Sequence, residues 1–142
     1  MSESSIPDVV INKVQSIQRC IRRARQEHQR SGEGFATDYT RQDAAVINII
    51  RACEQTIDLA SYVIKARRLG VPSSSAGCFA LLAAADVIEH ALAQRLVGMV
   101  GFRNIAVHQY EELNLEIVEA VLGSGLDDLL AFADTVLYHL NA

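Results

Sequence analysis

The stretch IPDVVINKVQSIQRCIRRARQEHQR, residues 6–30, decides the fold class. Val10, Val14, Ile17 and Ile21 recur at spacings of three and four, which gathers them on one face of an α-helix, while Lys13, Arg19, Arg22, Arg23 and Arg25 fall largely elsewhere. The rest of the chain has the composition to continue in kind. Half of its 142 residues are hydrophobic and 6% are aromatic, Trp is absent, and Pro occurs twice, so the core is built from Ala, Leu, Ile and Val. That length suits one well-buried domain spanning residues 1–142.

Working outward, Ser31-Gly32-Glu33-Gly34 stops the first helix, and Thr37 or Asp38 can cap a second that runs to about Arg68. Its apolar stripe passes through Ala45, Ile49, Ile50, Cys53, Ile57, Ala60 and Ile64, and Lys65, Arg67 and Arg68 suit the negative end of its dipole. Gly70 is placed to close that helix, and Ser73-Ser74-Ser75 supplies capping hydroxyls for a short helix over Ala76 to Ala84. A further helix is expected to begin at Asp86 and to carry Val87, Ala91, Leu92, Leu96 and Val100 towards residue 103. Gly98 and Gly101 in it predict close approach of another backbone, since each costs about 1 kcal/mol against Ala in a helix interior. Asn114 can cap a short helix, Gly123-Ser124-Gly125 is expected to interrupt it, and Leu126 to Leu140 forms the last amphipathic helix. No internal repeat or period-two strand pattern is present. The expectation is an all-α antiparallel helical bundle with short connections.

Charge, cysteine spacing and the opening residues narrow the functional classes. Net charge is −4, which speaks against general DNA or RNA binding, but it is unevenly spread: residues 1–30 carry six basic and three acidic side chains, and residues 111–142 carry seven acidic and no basic ones. A polyanion would approach the first helix or the region of Arg103 and be repelled by the C-terminal segment. The arginines of the first helix read more simply as a solvated face than as an RNA track. Cys20, Cys53 and Cys78 are odd in number and lack C-x-x-C spacing, so buried thiols are expected rather than a disulfide framework or a zinc site. Met1-Ser2-Glu3-Ser4-Ser5 has no basic n-region, and the longest apolar stretch, Cys78 to Ala85, is far short of a membrane span, so a cytoplasmic protein without membrane association is expected.

Arg103-Asn104-Ile105-Ala106-Val107-His108-Gln109-Tyr110 concentrates the chemistry. Arg offers a planar fork of donors that matches phosphate oxygens, and His, with an unperturbed pKa of about 6.5, can give or take a proton near neutrality. At about 100° per residue, Arg103 and Tyr110 would share one face of a straight helix, Asn104 and His108 would be neighbours, and His108 would sit about 140° from Arg103. Convergence of Arg with His therefore needs a turn inside the motif or a second copy across a two-fold interface. As residues alone, such a set near a helix end is more often a salt-bridging, capping and packing group than a catalytic one.

Arg103-x-x-x-x-His108-x-Tyr110 resembles the signature of the HEPN superfamily, and its setting is similar to the HepT-type toxins of prokaryotic toxin–antitoxin pairs. The resemblance extends through Asp8 to Arg23, Gln42-Asp43 with Ala52 to Ala60, Leu69 to Ser75 with Phe79, and Met99 to Glu112, and so covers nearly the whole chain. Gly123-Ser124-Gly125 departs from it, being more glycine-rich than that branch leads one to expect.

The resemblance implies a HEPN-like homodimer with both motifs lining a shared cleft, and metal-independent cleavage of messenger or transfer RNA without a cofactor. It makes Arg103 and His108 the catalytic pair, the His moving the proton of the ribose 2′-OH and the Arg stabilising charge on the scissile phosphate. Asn104 becomes a polar helper beside His108. Glu54 matches an acidic position that orients the motif Arg; its other reading is an exposed carboxylate near Arg51. Tyr110 is either a packed ring with a hydrogen-bonded hydroxyl or, as the resemblance implies, the residue that a minimal nucleotidyltransferase antitoxin adenylylates in a type VII-like pair. A phosphate-bearing group there would compete for Arg103. The competing class is a catalytically idle helical scaffold that docks the nucleotidyltransferase. A nucleotide-binding regulator ranks last, for want of a Gly-rich phosphate loop or an acidic metal cluster.

Overall fold

The computed structural model describes residues 6–141; the opening Met1–Ser5, which the sequence suggests carries no targeting signature, lies outside the described residues. The chain folds into helices α1 (Asp8–Ser31), α2 (Tyr39–Arg67), α3 (Ser75–Ala84), α4 (His90–His108), α5 (Leu115–Ala120) and α6 (Leu126–Asn141), with no strand among the described residues. The all-α bundle expected from the sequence is what forms. None of the helices is long and apolar enough to cross a membrane among the described residues.

Pairs between helices give their directions. Lys13 meets Asp58 at 3.6 Å and Glu27 meets Arg41 at 2.8 Å, so α1 and α2 run antiparallel. Asp38 caps α2 by accepting from the Arg41 amide at 3.1 Å, which selects it over Thr37 as the cap. From α2 to the α4 region, Glu54 faces Arg103 and Asp43 faces Tyr110, again antiparallel. Arg25 near the end of α1 pairs with Asp127 near the start of α6, whereas Arg67 near the end of α2 donates to the His139 carbonyl near the end of α6. α6 is thus antiparallel to α1 and parallel to α2.

The core lies between these helices and includes the expected residues Val10, Val14, Ile17, Ile21, Ala45, Ile49, Cys53, Ala60 and Ile64. Phe79 of α3 and Phe132 of α6 meet edge-on at its centre, ring centroids 5.5 Å apart. Burying each such large apolar side chain contributes about 1.5–3 kcal/mol. Cys20, Cys53 and Cys78 are all buried free thiols, as expected.

Three local expectations fail. Gly70 does not close α2: Arg68 takes the left-handed conformation at φ 56°, with the Leu69 amide reaching back to the Ile64 carbonyl at 3.0 Å. α4 does not begin at Asp86, because Asp86 is itself the left-handed residue, at φ 60°, that closes α3, and the Val87 amide returns to the Leu82 carbonyl at 2.9 Å. Val87 is consequently buried in the connection, and α4 starts only at His90. The third is Gly123-Ser124-Gly125, which does not break the helix. Val121–Gly125 forms a π-helical turn that joins α5 to α6.

That π turn leaves the Leu122 and Gly123 carbonyls free to accept from Arg25, at 3.0 and 2.9 Å. Arg25 is therefore a structural strut, and Lys13 and Arg23 are also ion-paired, which favours the solvated, paired reading of the first helix. Gly98 and Gly101 have open space where a side chain would go, so no other part of this chain approaches them closely among the described residues. The close approach is at Gly125, where a Cβ would come within 2.8 Å of the Met99 sulfur.

Candidate functional site

Arg103 is positioned by three helices. It rises from α4 opposite α2, its Nη1 4.0 Å from Glu54 Oε2, and its Nη2 donates to Ser75 Oγ at the start of α3 at 3.5 Å. The Arg side chain is 18% exposed against 53% for Glu54, so the cation is the held partner and the carboxylate lies nearer solvent. Its Nε is buried with no hydrogen-bond partner among the described residues. A guanidinium has five N–H donors, and two long contacts leave it with capacity for an incoming oxyanion.

Cys53 packs behind this corner. Burial pushes its thiol up to about 12, against a downward pull from Arg103 and a further upward push from Glu54. The thiol stays neutral near pH 7 and is neither a nucleophile nor a thiolate ligand.

The second half of the motif differs from the expected geometry. α4 ends at His108, Gln109 leaves helical space at φ −139° and ψ 48°, and Tyr110 opens a separate 3-10 turn, Tyr110–Glu112. Arg103 and Tyr110 therefore do not share a helix face; the straight-helix reading fails because the helix stops two residues before the tyrosine. Tyr110 is 43% exposed and its hydroxyl donates to the Asp43 carboxylate of α2. Partial burial, and then the hydrogen bond and charge of Asp43, push that hydroxyl up to about 12. Asn104 and His108 lie one turn apart on α4 and are both exposed, as the spacing predicts.

The fold thus brings Arg103 together with Glu54 and Ser75, and Tyr110 together with Asp43. It does not bring Arg103 to His108 within one chain, since both lie in α4 five positions apart. Ser75 and Asp43 are the members that sequence reasoning did not single out. Ser75 was legible only as a helix-start serine, and Asp43, 67 positions from Tyr110, carries no local signal that pairs the two.

Comparison with known proteins bears on this geometry. Residues 17–136 match the family described as ribonuclease HepT-like. The chain belongs to the HepT-like ribonuclease family. It is 43% identical over 129 residues, 91% of this chain and 96% of the relative, to the mRNA nuclease HepT of Shewanella oneidensis strain MR-1. Among solved structures it resembles a tri-AMPylated Shewanella oneidensis HEPN toxin in complex with MNT antitoxin, with a TM-score of 0.88 at 41% identity over 94% of this chain and 99% of that one. A toxin–antitoxin with AMP-PNP matches with a TM-score of 0.86 at 42% identity, over 93% and 99% of the two chains. The resemblance carried by Arg103, His108 and Tyr110 and by the longer segments around them is thereby upheld at the level of family and fold.

Proposed function

We propose that this chain is the toxin of a prokaryotic type VII-like toxin–antitoxin pair: a cytoplasmic, metal-independent endoribonuclease, one helical domain over residues 1–142, that acts as a homodimer on RNA and not on DNA. Arg103 grips the scissile phosphate, and His108 moves the proton of the 2′-OH and returns one to the leaving oxygen. Asn104 supports His108, and Glu54 orients Arg103. The observation that carries this reading is the Arg103 guanidinium, mostly enclosed and with donors to spare. Messenger RNA is favoured over transfer RNA as substrate by the relative named an mRNA nuclease.

Homodimerisation would supply what one chain lacks. Val97, Gly98, Gly101, Asn104, Ile105 and His108 recur at helical spacing along α4, and Val97 and Ile105 are 40% and 41% exposed. A two-fold axis on this face would bring His108 of one chain towards Arg103 of the other and allow a second backbone to approach the bare glycines. The test is purified protein with RNA in EDTA. Cleavage that persists in EDTA and is lost in His108→Ala supports the reading; equal cleavage by both proteins would sink it.

Tyr110 is the residue proposed to be adenylylated by a cognate minimal nucleotidyltransferase antitoxin. Support comes from its exposed ring and from the AMPylated relative bound to an MNT antitoxin. Tyr110→Phe should keep RNA cleavage and lose the partner-dependent mass increase. One observation favours the scaffold reading, namely that Arg103 and His108 diverge within the single chain. A scaffold would leave growth unimpaired when expressed without its partner, whereas the nuclease arrests it.

A further inference from the structure

We propose that Asp43 is the proton acceptor for adenylylation of Tyr110, an inference that rests on Tyr110 being the acceptor. The Tyr110 hydroxyl donates to Asp43 Oδ1, so the proton that must leave when the oxygen becomes a nucleophile already lies on the line to a carboxylate. The surroundings offer few competitors. Two hollows flank the ring, one of about 120 Å³ lined by Gln42, Val46, Leu113, Leu115 and Val118 and one of about 400 Å³ lined by Val46, Ile47, Ile50, Ala106 and Val107. Asp43 lines the larger, and apart from Tyr110 itself it is the one ionisable group among the described residues that line either. The charged or titratable chain neighbours are His108 before the turn and Glu111 and Glu112 within it, all exposed.

A base is needed because the hydroxyl is a weak acid here. With its pKa near 12, only about one molecule in 10⁵ carries phenolate at pH 7, so prior ionisation would be a severe handicap. In the proposed step Tyr110 Oη attacks the α-phosphorus of a nucleoside triphosphate held by the partner. The bond from that phosphorus to the oxygen bridging the β-phosphate breaks, pyrophosphate leaves with its electron pair, and the Oη proton passes to Asp43 and then to water. The product oxygen has no proton to donate. The Asp43 bond is lost, and the new phosphodiester and the carboxylate repel each other, which pushes the adenylate away from α2.

The experiment uses this chain with its nucleotidyltransferase and Mg²⁺·ATP, following intact mass in single turnover. Asp43→Asn keeps an oxygen that can accept from the hydroxyl but removes the base. Its rate should fall on the order of 10²-fold near pH 7. The ratio of variant to wild-type rates, in which the partner's own titration cancels, should rise about tenfold per pH unit between pH 7 and 9 as free phenolate takes over. Asp43→Glu should recover most of the rate with a flat ratio. An Asp43→Asn ratio that is flat with pH, or a rate equal to wild type, would overturn the proton-acceptor role. The acceptor reading fails separately, if Tyr110→Phe gains adenylate as fast as wild type.

Discussion

Arg103 and Tyr110 stand seven residues apart, yet one is locked by groups from three helices and the other sits on a turn beyond the helix end. At the Arg103 corner the cation is mostly enclosed, with its Nε buried and its Nη atoms facing Glu54 and Ser75. At the Tyr110 end a half-exposed ring hangs on one hydrogen bond to Asp43. Eight residues can thus hold two kinds of chemistry. A preorganised electrostatic grip needs a stiff, enclosed seat, whereas a residue to be modified by another protein must be reachable.

The largest effect should come from between the two ends. His108→Ala removes an exposed imidazole, so RNA cleavage should drop by about 10²–10⁴-fold while thermal unfolding stays within about 0.5 kcal/mol of wild type. A parallel loss of stability would mean that His108 acts in packing. Next is Arg103→Lys, which keeps the charge and loses the planar fork; cleavage should fall about 10²-fold in kcat with a smaller change in KM, because the fork matches the transition-state charge. Unchanged turnover would show that the corner supplies charge alone.

A third measurement sharpens the opposite end. Ultraviolet titration of Tyr110 should show a midpoint near 12 that moves down towards the ordinary 10 in Asp43→Ala. Since the folded value lies above the unfolded one, the associated stability is present in full below about pH 10 and is lost as pH rises through about 12. Alkaline unfolding should therefore be less steep across that window in Asp43→Ala, and an identical profile would count against the bond. The smallest effect is expected from Glu54→Gln. An ion pair at 4.0 Å with a half-exposed carboxylate contributes about 0–1 kcal/mol, so activity should change less than tenfold and the change should shrink with added salt.

Much of this architecture was legible in the chain. The stripes of α1 and α2 have strict helical periodicity, and burial follows it because one face of an amphipathic helix must be covered. Ser74 and Asn114 cap α3 and α5 as their residue types predict. The failures share a cause. Gly70 and the Gly123-Ser124-Gly125 run were read by propensity, but Arg68 and Asp86 accept the left-handed conformation, and a π turn keeps the chain helical through the glycines. Arg25 and the tight seat of Gly125 against Met99 reward that turn from other parts of the chain, which no local window contains.

The helical class, the core faces, the family resemblance and the motif residues can all be read along the chain, because periodicity and residue chemistry are local properties. Tertiary structure alone decided that α4 stops at His108, that Arg103 is seated against Glu54 and Ser75, and that Asp43 holds Tyr110. Each depends on side chains far apart in the chain meeting at antiparallel helix contacts, and only packing sets that register.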